Sequence, residues 1–414
     1  MTRFYASFLV LALPPAIVLA DLALAFARGY ETGSSLWVAA VAICGPWLAV
    51  AVWQVSTRRR RESFLRRGPR FAALSVSLCL GWLLMELCLN AVFAPQLVFH
   101  LAPSHMKHKF HARPEFLRGV SPETNYTTNS QGVRGPEWPE RSQAMRLLCI
   151  GGSTTECLFL DDRQTWPQQV AERLAADGGR PCWLGDVGRS GYATSDHLQL
   201  LENDALLNQL DGLIFLIGIN DLQRAMKGRR LDVPFGLHPL YERSAVFRLI
   251  DQIHNTRRTR RRHMDETSDG SNYPLRRQQR AAARVVTSPP DLTAARAQYR
   301  RNLDVIADVC ARHELRVWFA TQPVLWRAGV TAKDEATFWL GVFEDGSKPL
   351  TAWLAQQMAA FNDVLRTFCR ERKLGLIDLE SLNGDPACFY DDCHFTIEGA
   401  RRVADLVAAA VRER

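Results

Sequence analysis

The stretch Gly212-Leu213-Ile214-Phe215-Leu216-Ile217-Gly218-Ile219-Asn220-Asp221 decides the fold class. Its first six residues carry no polar side chain, which is the pattern of a strand buried on both faces. The run then stops at a glycine and a polar pair. Working outward, four more short apolar runs alternate with helical stretches. Strands are predicted at 146–151, 182–186, 315–320 and 374–379, and helices at 164–176, 195–209, 293–313, 351–372 and 396–412. Five strands interleaved with helices predict an α/β fold with a parallel sheet covered on both faces. In such sheets ligands collect at the carboxyl ends of the strands.

Upstream of this pattern lie three apolar stretches, Phe4–Ala27, Leu36–Val55 and Phe71–Phe99. At about 1.5 Å per helical residue each reaches about 30 Å, the thickness of a hydrocarbon core. They predict a three-helix membrane anchor over 1–99; for the first stretch a cleaved signal peptide is the alternative. The charge agrees. The chain has a formal net charge of +8, and residues 56–70 alone hold seven Arg against Glu62. By the positive-inside rule that segment is a cytoplasmic loop, which places everything after the third stretch outside the cytoplasm. Glu86 and Asn90, inside the third stretch, are read as packing between helices. A second patch of nine Arg against Asp265, Glu266 and Asp269 occupies 257–284. The basicity is therefore local, and a nucleic-acid partner is not expected.

A connector covers 100–144, and the domain proper covers 145–414 with an Arg-rich insertion at about 222–290. The insertion reads either as a solvated segment or as a lid or contact for anionic lipid or glycan. Seven Cys follow the third stretch, and Cys388 and Cys393 are close enough in sequence to bridge, although spacing does not establish it. His197 reads as structural and the connector histidines as solvated.

The chemistry gathers at strand ends. The first strand ends Ile150-Gly151-Gly152-Ser153-Thr154-Thr155, where small residues expose a serine hydroxyl. The second ends Gly185-Asp186-Val187-Gly188-Arg189-Ser190-Gly191, whose glycines permit a sharp turn presenting N–H groups. The third ends at Asn220, an amide able to donate to developing negative charge. Near the C-terminus comes Asp391-Asp392-Cys393-His394, where a carboxylate three residues before an imidazole can accept its Nδ1–H and fix the tautomer. The same residues offer metal-ligand atoms, but no second His/Cys cluster has suitable spacing. The fourth strand ends at Thr321-Gln322-Pro323, which makes Gln322 a candidate substrate contact.

These blocks in this order (GGST, GDVGRSG, GIND and DDCH) resemble the SGNH, or GDSL-like, hydrolase family over about 145–414. The Thr128–Gly135 segment is similar to the lead-in of membrane-anchored members. The Gly-x-Ser-x-Gly elbow of ordinary α/β-hydrolases is absent. The resemblance implies a flavodoxin-like three-layer sandwich with a five-stranded parallel sheet. It implies Ser153 as nucleophile, His394 as general base and Asp391 as its orienting partner. The Ser153 and Gly191 N–H groups and the Asn220 side chain would form an oxyanion hole. Two positions depart from the usual pattern: GGST replaces Gly-Asp-Ser, and Asp186 stands where Asn is frequent.

The resulting expectation is a membrane-anchored serine esterase or deacylase with its catalytic domain outside the cytoplasmic membrane of a bacterium. It would need no cofactor and act on acyl esters of cell-envelope glycans or lipids. An O-acyltransferase would use the same residues. A catalytically silent envelope glycan-assembly protein that keeps the fold is the alternative of a different class.

Overall fold

The computed structural model describes residues 58–92, 101–176, 181–229, 231–232 and 269–413, with scattered positions at 12–13, 15–21, 23–24, 44, 244–246 and 249. Two compact units result. Residues 1–98 with 233–256 form one, and 99–232 with 257–414 the other.

In the first unit a helix runs from Arg58 to Val92. The Arg cluster at 58–70, expected as a loop, is the opening of this helix. Farther along, Leu78, Leu80, Leu83, Leu84 and Leu87 are each more than half exposed. Among the described residues no helix is long and apolar enough to cross a membrane. The stretches Phe4–Ala27 and Leu36–Val55 lie largely outside the described residues. The Glu86 carboxylate accepts hydrogen bonds from Ser244 Oγ (2.9 Å), Asn90 Nδ2 (3.3 Å), and the Ala245 and Val246 N–H groups. It caps the segment starting at Ser244, which satisfies a polar group on an apolar helix.

The second unit is built on five strands: β3 (Met145–Gly151), β4 (Cys182–Asp186), β5 (Gly212–Leu216), β6 (Arg316–Ala320) and β7 (Gly375–Ile377). All pair in parallel, in the order β4-β3-β5-β6-β7. Every residue of β5 is buried, as its unbroken apolar run requires. The helices Trp166–Ala176 and Ile397–Arg412 pack together on one face. Thr194–Leu200, Ile219–Met226, Thr293–Arg312 and Thr351–Arg372 pack together on the other. This is a three-layer sandwich. The direction of winding reverses between β3 and β5, and a crevice opens there at the carboxyl ends of the strands.

Some sequence expectations are corrected, and points left open are resolved. The helix expected at 195–209 is two, Thr194–Leu200 and Asp204–Leu207. The Asn203 side chain accepts from Leu206 N and starts the second, the usual preference of Asn for a cap over a helix interior. The end of the third strand is already helical from Ile219. Cys388 and Cys393 do not bridge, and the seven cysteines after the third stretch are free thiols. The connector carries an antiparallel pair, β1 (Lys107–Phe110) with β2 (Thr124–Thr127), and the insertion carries a helix, Asn272–Ala282, whose Tyr273 and Arg280 are buried.

Candidate active site

At the end of β3, Gly152 caps a one-turn helix, Ser153–Glu156, and Ser153 is its first residue. Its N–H therefore has no intrahelical acceptor. The Ser153 Oγ lies 2.7 Å from His394 Nε2. On the ring's other side Nδ1 sits 2.7 Å from Asp391 Oδ2. Residues 241 positions apart in sequence are thus joined in one hydrogen-bonded line.

The turn at 391–394 explains half of this line. Asp391 Oδ1 accepts from the backbone N–H groups of Cys393 (3.0 Å) and His394 (2.9 Å). An aspartate that binds the N–H groups two and three residues on winds a tight turn, and the winding brings the His394 ring back onto Oδ2. Both side chains are buried. Burial works against the Asp391 charge, but the His394 imidazole and these donors hold its carboxyl below the usual range. Burial likewise disfavours the imidazolium, yet the Asp391 charge outweighs it, with Cys393 and Tyr273 adding to the effect, and holds His394 well above the ordinary histidine range.

A second set of contacts was not legible in the sequence. Trp339 Nε1 donates to Asp391 Oδ2 at 2.8 Å, and its ring lies nearly parallel to the imidazole, 6.1 Å between centroids. Trp339 is held in turn by the next aspartate. Asp392 accepts from the Trp339 N–H (2.7 Å), the Leu340 N–H (3.1 Å) and Trp326 Nε1 (2.7 Å). Burial and the Asp391 charge push the Asp392 carboxyl up to about 6. The two aspartates divide the work, Asp391 holding the histidine and Asp392 holding the tryptophan loop.

The groups expected to form an oxyanion hole come from three places. Asn220 Nδ2 donates to Tyr192 O at 2.8 Å, which uses one of its two N–H bonds and leaves the other for a ligand. A Cβ on Gly152 would lie 2.3 Å from that nitrogen, so only glycine lets Asn220 approach the nucleophile turn. Gly191 has φ +83, a conformation that favours glycine. Its loop is pinned by Glu156, whose Oε2 accepts from Ser190 N (2.8 Å) and Ser190 Oγ (2.5 Å). Arg224 pins it again through Gly191 O at 3.2 Å. Among the described residues, neither the Ser153 nor the Gly191 N–H has an acceptor.

Gln322 does not face this crevice. It is fully buried; Oε1 accepts from Thr154 Oγ1 at 3.3 Å and Nε2 donates to Pro323 O at 2.9 Å. It braces the residue after Ser153 instead of contacting substrate. Asp186 also turns inward, accepting from Gly188 N at 2.7 Å, and burial pushes its carboxyl up to about 7. Arg134, from the lead-in segment, is 2% exposed. It donates to Asp162 Oδ1, Glu156 O, Cys157 O and Leu160 O, which fixes the chain leaving the Ser153 turn. A cavity of about 670 Å³ opens at the opposite, amino end of the sheet, beside Met145, Cys182, Asp211 and Arg316; it contains none of the residues above. Among the described residues, only Asp391, Cys393 and His394 lie close enough together to share a metal ion, and the Asp391 and His394 atoms are already bonded to each other.

A family model described as GDSL-like lipase/acylhydrolase matches residues 149–402, well over half of the chain. The chain belongs to this family. As a GDSL-like acylhydrolase it is an enzyme that hydrolyses esters. Solved structures resemble it at low identity. The acetyl xylan esterase AlAXEase is 12% identical, covering 64% of this chain and 100% of its own, with a TM-score of 0.37. TesA is 15% identical, covering 65% and 99%, with a TM-score of 0.38. The acetylxylan esterase Axe2 from Geobacillus stearothermophilus is 13% identical, covering 65% and 95%, with a TM-score of 0.37. No curated protein matches the chain.

Proposed function

We propose that this GDSL-like acylhydrolase is a membrane-anchored serine esterase that removes O-acyl groups by way of an acyl-enzyme on Ser153. The observation that carries the reading is the continuous line Ser153 Oγ, His394 Nε2, His394 Nδ1, Asp391 Oδ2, with 2.7 Å at each end. A serine hydroxyl is a poor nucleophile until a neighbouring base takes its proton. His394 accepts that proton at Nε2 as Oγ attacks the carbonyl carbon, and Asp391 stabilises the imidazolium that forms. The tetrahedral oxyanion is received by the Ser153 and Gly191 N–H groups and the free Asn220 N–H. His394 then gives the proton to the departing alcohol oxygen. Water, deprotonated by the same imidazole, attacks the acyl carbon and releases a carboxylic acid and free Ser153.

Membrane attachment and location are supported by the three apolar stretches, the Arg cluster at 58–70 and the exposed leucines of the Arg58–Val92 helix. On this reading the catalytic unit stands outside the cytoplasmic membrane and takes its substrate from acylated envelope glycans or lipids. The test is hydrolysis of a chromogenic acetate ester by the detergent-solubilised full chain beside Ser153→Ala. Ser153-dependent turnover supports the reading, and equal rates in both proteins overturn it. Protease protection of the intact protein in sealed vesicles tests the orientation: cleavage of the catalytic unit only from the cytoplasmic side contradicts it.

A further inference from the structure

The Arg-rich insertion ends in the Asn272–Ala282 helix, and this helix forms part of the wall beside the triad. Three side chains fasten it. Tyr273 packs edge-on against Trp339 (5.8 Å) and Tyr390 (6.0 Å). Arg277 donates to Thr337 O at 3.0 Å and Tyr390 O at 3.3 Å. Arg280, buried, donates to Leu340 O at 2.7 Å. Both arginines hold loop carbonyls.

Arg276, between these anchors, is different. It is exposed, and its guanidinium carbon lies 4.7 Å from the centroid of the Trp339 ring. Among the described residues it has no carboxylate partner. The same Trp339 ring lies parallel to His394 and donates to Asp391. One aromatic ring is therefore shared by a solvent-facing cation and the imidazole of the Ser153–His394–Asp391 line. Stacking on an aromatic face fixes the plane of a guanidinium while leaving its N–H edge free. That edge is a planar fork matched to a carboxylate or phosphate.

We propose that Arg276 is a specificity-determining residue, and that the preferred ester carries an oxyanion, carboxylate or phosphate, on the part of the molecule that reaches Trp339. The proposal rests on the esterase reading above and adds the substrate class to it.

The test uses the full chain in detergent and three acetate esters: O-acetylglucose, O-acetylglucuronate and an O-acetylated glucose phosphate. The readout is the ratio of kcat/KM for each acidic ester to that for the neutral one. A charge-assisted contact at a partly exposed site predicts a ratio of about 10 for at least one acidic ester. The ratio falls towards 1 in Arg276→Gln, falls only part of the way in Arg276→Lys, which keeps the charge but not the stacked planar fork, and shrinks as salt rises from about 0.05 to 0.5 M. Whether the glucuronate or the phosphate ester shows the larger ratio distinguishes the two anions. Arg284→Gln, just beyond the same helix's far end and exposed, leaves the ratios as they were. Equal ratios in wild type and Arg276→Gln overturn the proposal while leaving the esterase reading intact. If no ester is turned over in a Ser153-dependent way, the esterase reading fails by itself. Calorimetric binding of glucuronate and glucose phosphate to wild type and Arg276→Gln then decides: tighter binding by wild type supports the anion site, and equal binding overturns it.

Discussion

Replacing Trp339 by Phe removes one N–H from the buried Asp391 carboxylate and keeps a ring beside His394. The lost bond is 2.8 Å long and ends on Oδ2, the oxygen that also holds His394 Nδ1. Hydrogen bonds to charged groups contribute roughly 1.5–3 kcal/mol. Asp391 keeps its other donors, Cys393 N, His394 N and His394 Nδ1, so the lower end applies. About 1.5 kcal/mol is about one pH unit in the His394 equilibrium, so at a fixed pH below the limb kcat falls about tenfold, with KM nearly unchanged because Trp339 acts through Asp391. The pH profile carries more information. His394 is a base only when neutral, so the rate rises with pH through its raised pKa. Without the indole donor more negative charge remains on Asp391, which holds the imidazolium more strongly. The acid limb of the variant therefore moves to higher pH. Initial rates on p-nitrophenyl acetate across about pH 5 to 10 measure both quantities. A kcat within about twofold of wild type and an unmoved limb would refute the assignment of Trp339 as a positioning residue.

Asn220→Ala lowers kcat by about 10²–10³ if its amide receives the oxyanion, and thermal melting separates this from loss of the Tyr192 tether. Gly152→Ala approaches the same loss, since its Cβ would sit 2.3 Å from Asn220 Nδ2; full activity in this variant contradicts the oxyanion geometry. Arg134→Lys destabilises the fold by about 3 kcal/mol in denaturant titrations, because a lysine cannot serve Asp162 and four carbonyls at once. Asp221, whose carboxyl burial pushes up to about 7, keeps a proton when folded that the unfolded chain loses near pH 4. Wild-type stability therefore falls as pH rises through that window. Asp221→Asn has a smaller drop in Tm between about pH 5 and 7.5; an equal drop contradicts the buried protonated carboxyl.

Features with a local signal are legible in the sequence. The apolar runs of β3 and β5 and the small residues around Ser153 each lie in one short segment, and so does the Asp-x-x-His turn. Their positions at strand ends follow from the sheet. Trp339 and Arg276 left no such signal. Trp339 meets Asp391 across 52 residues, from a loop with no periodicity, and its role exists only once Asp392 has fixed that loop. Gln322 shows the opposite error. A position at a strand end suggests exposure, but the side chain turned into the core to meet Thr154. Arg134 belongs to a recognisable lead-in segment, yet its burial depends on carbonyls supplied by residues 156–160.

On this mechanism Ser153 carries the acyl group, and His394 makes it able to do so. An acyl-serine mimic tests this directly: a fluorophosphonate is reacted with the full-length protein, and the adduct is located by mass spectrometry of its peptides. One adduct is expected, on Ser153, forming far more slowly in His394→Ala and not at all in Ser153→Ala. An adduct on another residue, or equal labelling of the His394→Ala protein, would contradict it.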